Sequence, residues 1–177
     1  MEDRNRAIDS RFRPHWRHYV LQSGLATVAV FGVLMALHHQ NLVVAASLAA
    51  TAFTVFSMPS SVTARTRNVV GGHLMGIIIG SVFAFLPAGY FAEREAFYAL
   101  AVGCSIFVMA ITNTEHPPAA GTALGMVIAG FSWRLGLGAL IGVSILSLIQ
   151  RLLRPWLIDL VLPPELDRPE TGDRKRH

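Results

Sequence analysis

Thr112-Asn113-Thr114-Glu115-His116-Pro117-Pro118-Ala119-Ala120-Gly121 sets two ionisable side chains and two prolines between hydrophobic segments. Proline has no backbone N–H and its ring blocks a continuing helix, so the pair ends one helix and can open the next. On either side, Phe97 to Ile111 and Ala119 to Phe131 are apolar enough for lipid, which puts Glu115 and His116 at or inside a bilayer boundary. Ionisable groups are costly there and by default mark function.

Working outward, the rest of the chain has the same character. Of 177 residues, 53% are hydrophobic and only 15% charged, too apolar a balance for a soluble domain of this size. Histidines apart, no charge interrupts Arg17 to Arg65, Arg67 to Glu93, Glu95 to Glu115 or Arg134 to Arg151. A helix needs roughly 20 residues to cross roughly 30 Å of hydrocarbon, so each gap holds one or more spans. The expected fold is an all-α, polytopic transmembrane bundle with spans at Tyr19 to Leu37, Leu42 to Met58, Val69 to Leu86, Phe97 to Ile111, Pro118 to Phe131 and Leu135 to Leu153. The fourth and fifth are short: they form either two thin crossings or one re-entrant pair beside four full spans.

Either arrangement leaves both chain ends on one side. Arg4, Arg6, Arg11, Arg13, Arg17, Arg65, Arg67, Arg151, Arg154, Arg174, Lys175 and Arg176 share that side, which the positive-inside rule makes cytoplasmic. The other side receives His38-His39-Gln40-Asn41, Glu93-Arg94-Glu95 and Trp133-Arg134. Residues 1–18 read as a cytoplasmic tail, 19–161 as the transmembrane domain and 162–177 as a second cytoplasmic tail. The first span fits a retained signal anchor better than a cleaved signal, because Met35-Ala36-Leu37 runs into His38-His39 without a small-x-small site. Trp16 and Tyr19 suit an interfacial anchor.

Several classes fall away. The single cysteine, Cys104, excludes an intrachain disulfide and a cysteine-based zinc cluster. The net charge of +4 belongs to the flanks, and no nucleic-acid recognition motif is present. Ser57, Ser60 and Ser61 lie by a proline turn without a nucleophile elbow, so the chain does not read as an enzyme. Gly72, Gly76 and Gly80 share a helical face, as do Gly121 with Gly125 and Gly138 with Gly142, allowing close backbone approach. Such faces serve packing within the bundle or against a second copy, which leaves a homo-oligomer open. A weak repeat pairs segments two and three with four and five, each running from apolar helix through a proline break to a glycine-spaced helix. Chance likeness between small-residue-rich helices explains it equally well.

The run Arg67-Asn68-Val69-Val70-Gly71-Gly72-His73 followed by Thr112-x-Thr114-x-His116-Pro117-Pro118 resembles the HPP family of small integral membrane proteins over roughly Tyr19 to Leu153. After the tripeptide this chain has Ala119-Ala120-Gly121, where the family often continues with glycines. The resemblance implies a four-spanning fold, a bacterial inner-membrane location and transport of a nitrite-like anion. A candidate substrate site of Arg67, Asn68, His73, Thr112, Asn113, Thr114, Glu115, His116, Pro117 and Pro118 follows, with the small anion and the lipid bilayer as partners and no cofactor.

The residue chemistry points the same way. An anion entering a bilayer needs N–H and O–H donors or positive charge in place of water. Helices starting near Asn68 and Pro118 present N-termini worth about 0.3 to 2 kcal/mol to an anion. Histidine suits a proton-coupled cycle. Arg65 and Arg67 also fit plain topological anchors, with Arg67 the stronger site candidate, and Glu115 fits either proton transfer or a structural pair with Arg67 or His116. The alternatives are a haem or metal protein ligated by His73, His116 and Glu115, and a non-transporting structural or sensory module.

Overall fold

A computed structural model describes residues 12–37, 41–87 and 91–161. The expected tails outside these ranges and the His38-His39-Gln40 loop lie outside the described residues, as do the side chains of 36–37 and 91–93. Six α-helices account for most of the described chain: α1 (Phe12–Leu37), α2 (Leu42–Ser57), α3 (Thr66–Ala84), α4 (Phe91–Ile111), α5 (Pro117–Ala129) and α6 (Trp133–Leu153). The chain is thus an all-α bundle, as its composition predicts. Exposed Val28, Phe31, Ile78, Phe107 and Leu148 are the apolar outer surface that lipid would cover.

The lengths revise the expected spans. Four helices, α1, α3, α4 and α6, are long and apolar enough to cross a membrane. The fourth is therefore full length at 21 residues, not short and not half of a re-entrant pair. Its first turns take in Glu95, read as loop, whose acidic side chain is favourable near a helix N-terminus. The short helices are α2 and α5. With 16 and 13 residues, they reach only about 24 and about 20 Å at 1.5 Å per residue.

Each break has a local cause. Asn41 caps α2, its side-chain oxygen accepting from the N–H groups of Val43 and Val44 at 3.0 Å. Pro59 follows α2, and the chain passes through a 3-10 turn at Val62–Ala64 before α3. At the end of α4, Asn113 has φ 52, and the Thr114 N–H donates to the Met109 carbonyl at 2.9 Å. That left-handed residue and six-to-one bond form a Schellman ending, for which asparagine is the usual substitute for glycine. Pro117 and Pro118 then open α5 at its first two positions.

The helices alternate in direction. Along α5, His116, Thr122 and Gly125 meet Thr51, Ser47 and Val44 of α2 in turn, so these two run antiparallel. Gly72, Gly76 and Gly80 of α3 meet His116, Ala119 and Ala123, so α3 and α5 run parallel and make the most extensive helix contact. Start and end of the bundle meet on one side: Gln22, buried in α1, donates to the carbonyls of Phe56 and Ile158 and accepts from the Ile158 N–H.

These neighbourhoods repeat. Exchanging α1, α2 and α3 for α4, α5 and α6 turns α1–α2 packing into α4–α5, α2–α6 into α5–α3, and α1–α6 into α4–α3, while α2–α5 and α3–α6 map onto themselves; all of these contacts are present. Because each half has three helices, the second half is inverted relative to the first. The sequence keeps register: Asn41, Ser47, Phe56 and Ser57 answer His116, Thr122, Phe131 and Ser132 at one constant spacing. Likewise Arg67, Asn68, Gly72 and Gly76 answer Arg134, Leu135, Ala139 and Val143. The repeat thus joins α2 to α5 and α3 to α6, in place of the pairing expected from the proline and glycine pattern. Ser47 and Thr122, hydrogen-bonded to each other at 2.7 Å, sit where the pseudo-twofold axis crosses the bundle.

Candidate functional site

The prolines that open α5 also determine where His116 goes. A capping side chain bonds the N–H of the second or third helical residue. Here the second is Pro118, which has none, and the third, Ala119, already donates to the His116 carbonyl at 2.9 Å. His116 makes no cap bond. It turns inward instead and is fully buried, as is His73 about two turns into α3. Gly72 makes room for it: a Cβ there would lie 2.8 Å from the His116 Cβ and 2.9 Å from the Thr114 carbonyl oxygen.

The two imidazoles, 5.2 Å apart between ring centres, share one hydroxyl. Thr51 Oγ1 of α2 lies 2.8 Å from His73 Nε2 and 3.0 Å from His116 Nε2. On its far side, His116 Nδ1 is 2.8 Å from the Thr63 carbonyl at the first break. His73 Nδ1 is 2.8 Å from Thr122 Oγ1, which bonds Ser47 at the axis, and Ser47 donates to the Pro118 carbonyl at 2.6 Å. An unbroken polar chain therefore runs from Thr63 at the break to the bundle centre. The symmetry-related position is dry: Thr51, Asn68 and Gly72 correspond to Met126, Leu135 and Ala139, which with Val44 form an apolar cluster.

The structure divides the sequence-predicted residues into two layers. His73 and His116 belong to the buried chain, and Asn68 and Thr114 are buried beside it, Asn68 donating to the Glu115 carbonyl at 3.2 Å. Arg67, Asn113, Glu115 and Pro117 are exposed, with Thr112 and Pro118 half-buried. Arg67 donates to the Thr112 carbonyl at 3.1 Å, tying the start of α3 to the α4 ending. Among the described residues no ion pair joins Glu115 to Arg67 or His116. The N-terminus of α5 is a poor anion cradle, since two of its first N–H groups are missing at the prolines and the third is bonded. The start of α3, with Arg65 and Arg67, has no such defect.

Sequence reasoning missed Ser47, Thr51, Thr63 and Thr122. Ser47, Thr51 and Thr54 fall on one face of an otherwise apolar helix and are all buried, a polar stripe that the spacing could have shown. As for metal, no cluster of three His, Cys, Asp or Glu side chains suited to an ion occurs among the described residues. All four ring nitrogens of His73 and His116 are within hydrogen-bond distance of a partner, so ligation of haem or metal would break a bond at each ring.

Comparison with known proteins agrees with a membrane-spanning chain. Two proteins of Dictyostelium discoideum, each described only as a transmembrane protein, are 36% identical over 109 residues and 31% identical over 112 residues. These alignments cover 62% and 63% of this chain but 38% and 36% of those proteins, so the chain spans well under half the length of the curated relatives it matches. No solved structure matches it. The family model for the HPP transmembrane region matches residues 11–154, which include both histidines, the proline pair and all six helices of the bundle, and the chain belongs to the HPP transmembrane family.

Proposed function

We propose that this chain carries a small inorganic anion of the nitrite class across the bacterial inner membrane, with both chain ends, the two breaks and Arg65 and Arg67 on the cytoplasmic side. The observation that carries the transport reading is the inverted repeat. Two antiparallel halves meet at short helices, α2 and α5, and the polar chain lies at their interface. Inverted halves with short helices meeting at a central site suit alternating access, because rocking one half against the other opens the same site to either side. The anion reading rests on the arginine-bearing start of α3, where helix N–H groups and two guanidiniums offer positive potential, and on the family resemblance.

The test is flux into proteoliposomes containing the purified protein, comparing nitrite with nitrate, formate, bicarbonate and chloride. Uptake of at least one of these anions is expected. Arg67→Ala should lower it at least about tenfold, the loss of roughly 1.4 kcal/mol or more of favourable charge interaction, while Arg13→Ala leaves it unchanged. Folded protein that passes none of these anions would refute the reading, and equal loss from both arginines would reduce Arg67 to an insertion determinant.

A further inference from the structure

The Pro118 carbonyl can only accept, so the single hydroxyl hydrogen of Ser47 is committed to it. Thr122 must then donate its own hydrogen to Ser47. With that hydrogen spent, the contact between Thr122 and His73 requires His73 Nδ1 to carry the proton. At the other end the Thr63 carbonyl likewise requires a proton on His116 Nδ1. Both neutral imidazoles are therefore Nδ1–H tautomers, and both present an Nε2 lone pair to Thr51.

Thr51 has one hydrogen for two lone pairs. Its third neighbour, the Ser47 carbonyl at 3.0 Å, adds another acceptor and no donor. The neutral network is one proton short, and a buried lone pair without a donor is costly. We propose that the Thr51-bridged pair His73 and His116 is a binding site for one proton, shared between the two rings through the Thr51 hydroxyl. With the proton on His116, its Nε2–H donates to Thr51, which donates to His73 Nε2. Reversing the hydroxyl moves the proton to His73, and in either state both ring Nε2 atoms are bonded to Thr51, leaving only the Ser47 carbonyl without the hydroxyl hydrogen.

The surroundings limit the site to one proton. Facing the pair are Ser47 and Thr51 from α2, Thr122 from α5 and the Thr63 carbonyl from the 3-10 turn, with Met109 of α4 beside Gly72; Ser147 of α6 bonds Thr66 at the start of α3. None of these titrates near neutral pH. The charged side chains of Arg65, Arg67 and Glu115 are exposed, so no carboxylate among these neighbours neutralises the pair. Two imidazoliums with centres 5.2 Å apart would repel strongly in a water-poor interior. Thr63, half-buried at the break, marks the end nearest water, and His73 the inner end.

The proposal is independent of which ion is transported, and its test needs no anion. Full-length protein with 15N-labelled histidine, in lipid nanodiscs, is titrated by NMR from neutral to acid pH, with His73 and His116 resonances assigned by their loss in His73→Gln and His116→Gln. Both rings are expected as Nδ1–H tautomers at the neutral end. On acidification both Nε2 signals should move together with one midpoint, each by part of the full imidazolium shift. Thr51→Val should split them into separate midpoints and Thr51→Ser, which keeps the hydroxyl, should restore the shared one. An Nε2–H tautomer at either ring, two independent complete titrations, no titration before unfolding, or a Thr51→Val spectrum like that of the parent would each overturn the proposal.

Discussion

Gly76→Ala is the sharpest test of how α3 holds the site together. A Cβ at Gly76 would sit 2.5 Å from the Ala119 carbonyl oxygen and 3.4 Å from the Ala123 nitrogen, both backbone atoms of α5. Ordinary carbon-to-oxygen contact is nearer 3.3 Å, so the helices must part by something under about 1 Å, and neither side has a flexible side chain to yield. Overpacking of this kind costs about 1 to 3 kcal/mol. Alanine recovers about 1 kcal/mol of helix propensity, which leaves a net loss of roughly 0 to 2 kcal/mol and a difference of about 1 to 3 kcal/mol from the same change at an uncrowded glycine.

Gly103 in α4 is the control, since an added Cβ there would meet nothing within 4 Å. Gly103→Ala should be neutral or slightly stabilising. Thermal unfolding of the two variants in one detergent gives the comparison, and the same preparations yield a second readout. Parting α3 from α5 lengthens the 2.8 Å contact between His73 and Thr122, so the His73 ring signal should shift in Gly76→Ala and stay put in Gly103→Ala. Equal stability of the two variants would refute the close α3–α5 packing and the site geometry built on it.

Gln22→Leu should destabilise by about 1 to 3 kcal/mol in the same unfolding assay, because the Phe56 and Ile158 carbonyls lose a shared donor and the Ile158 N–H its acceptor inside the bundle; no loss would mean that Gln22 does not pin the chain ends together. In a Cys104→Ser background, single cysteines at Arg13 and Asp159 should label with an impermeant maleimide from the same side of the membrane, and a cysteine at Leu42 from the opposite side. Labelling of Arg13 and Asp159 from opposite faces would remove the even number of crossings.

How much of this was legible in the sequence depends on what each residue signals by itself. The break at Pro117-Pro118 was plain because proline acts through its own backbone, and the glycine face of α3 because small residues four apart signal packing whatever they pack against. The length of α4 was not: Glu93, Arg94 and Glu95 look like loop until the favourable charge of a helix N-terminus is allowed for. Thr51 is legible only in part. Its spacing with Ser47 and Thr54 shows a buried polar stripe, but its role comes from two histidines that arrive from distant parts of the chain.

The repeat explains why those parts meet, and also why only one of two related positions is polar. Related packing surrounds Thr51 and its counterpart Met126, yet one position holds a hydroxyl between two imidazoles and the other a thioether in an apolar cluster. The difference begins at the caps. Asn41 precedes a helix whose first N–H groups need a partner, and its side chain is consumed in bonding them. His116 precedes two prolines that need none, so its ring is free to enter the core and Gly72 admits it. Substituting Pro118 would restore an N–H at the second helical position and give position 116 a capping task, while also removing the stiffness of the turn. The tripeptide His116-Pro117-Pro118 is therefore one device: the prolines end the demand for a cap, and the histidine they release joins the break to the buried site.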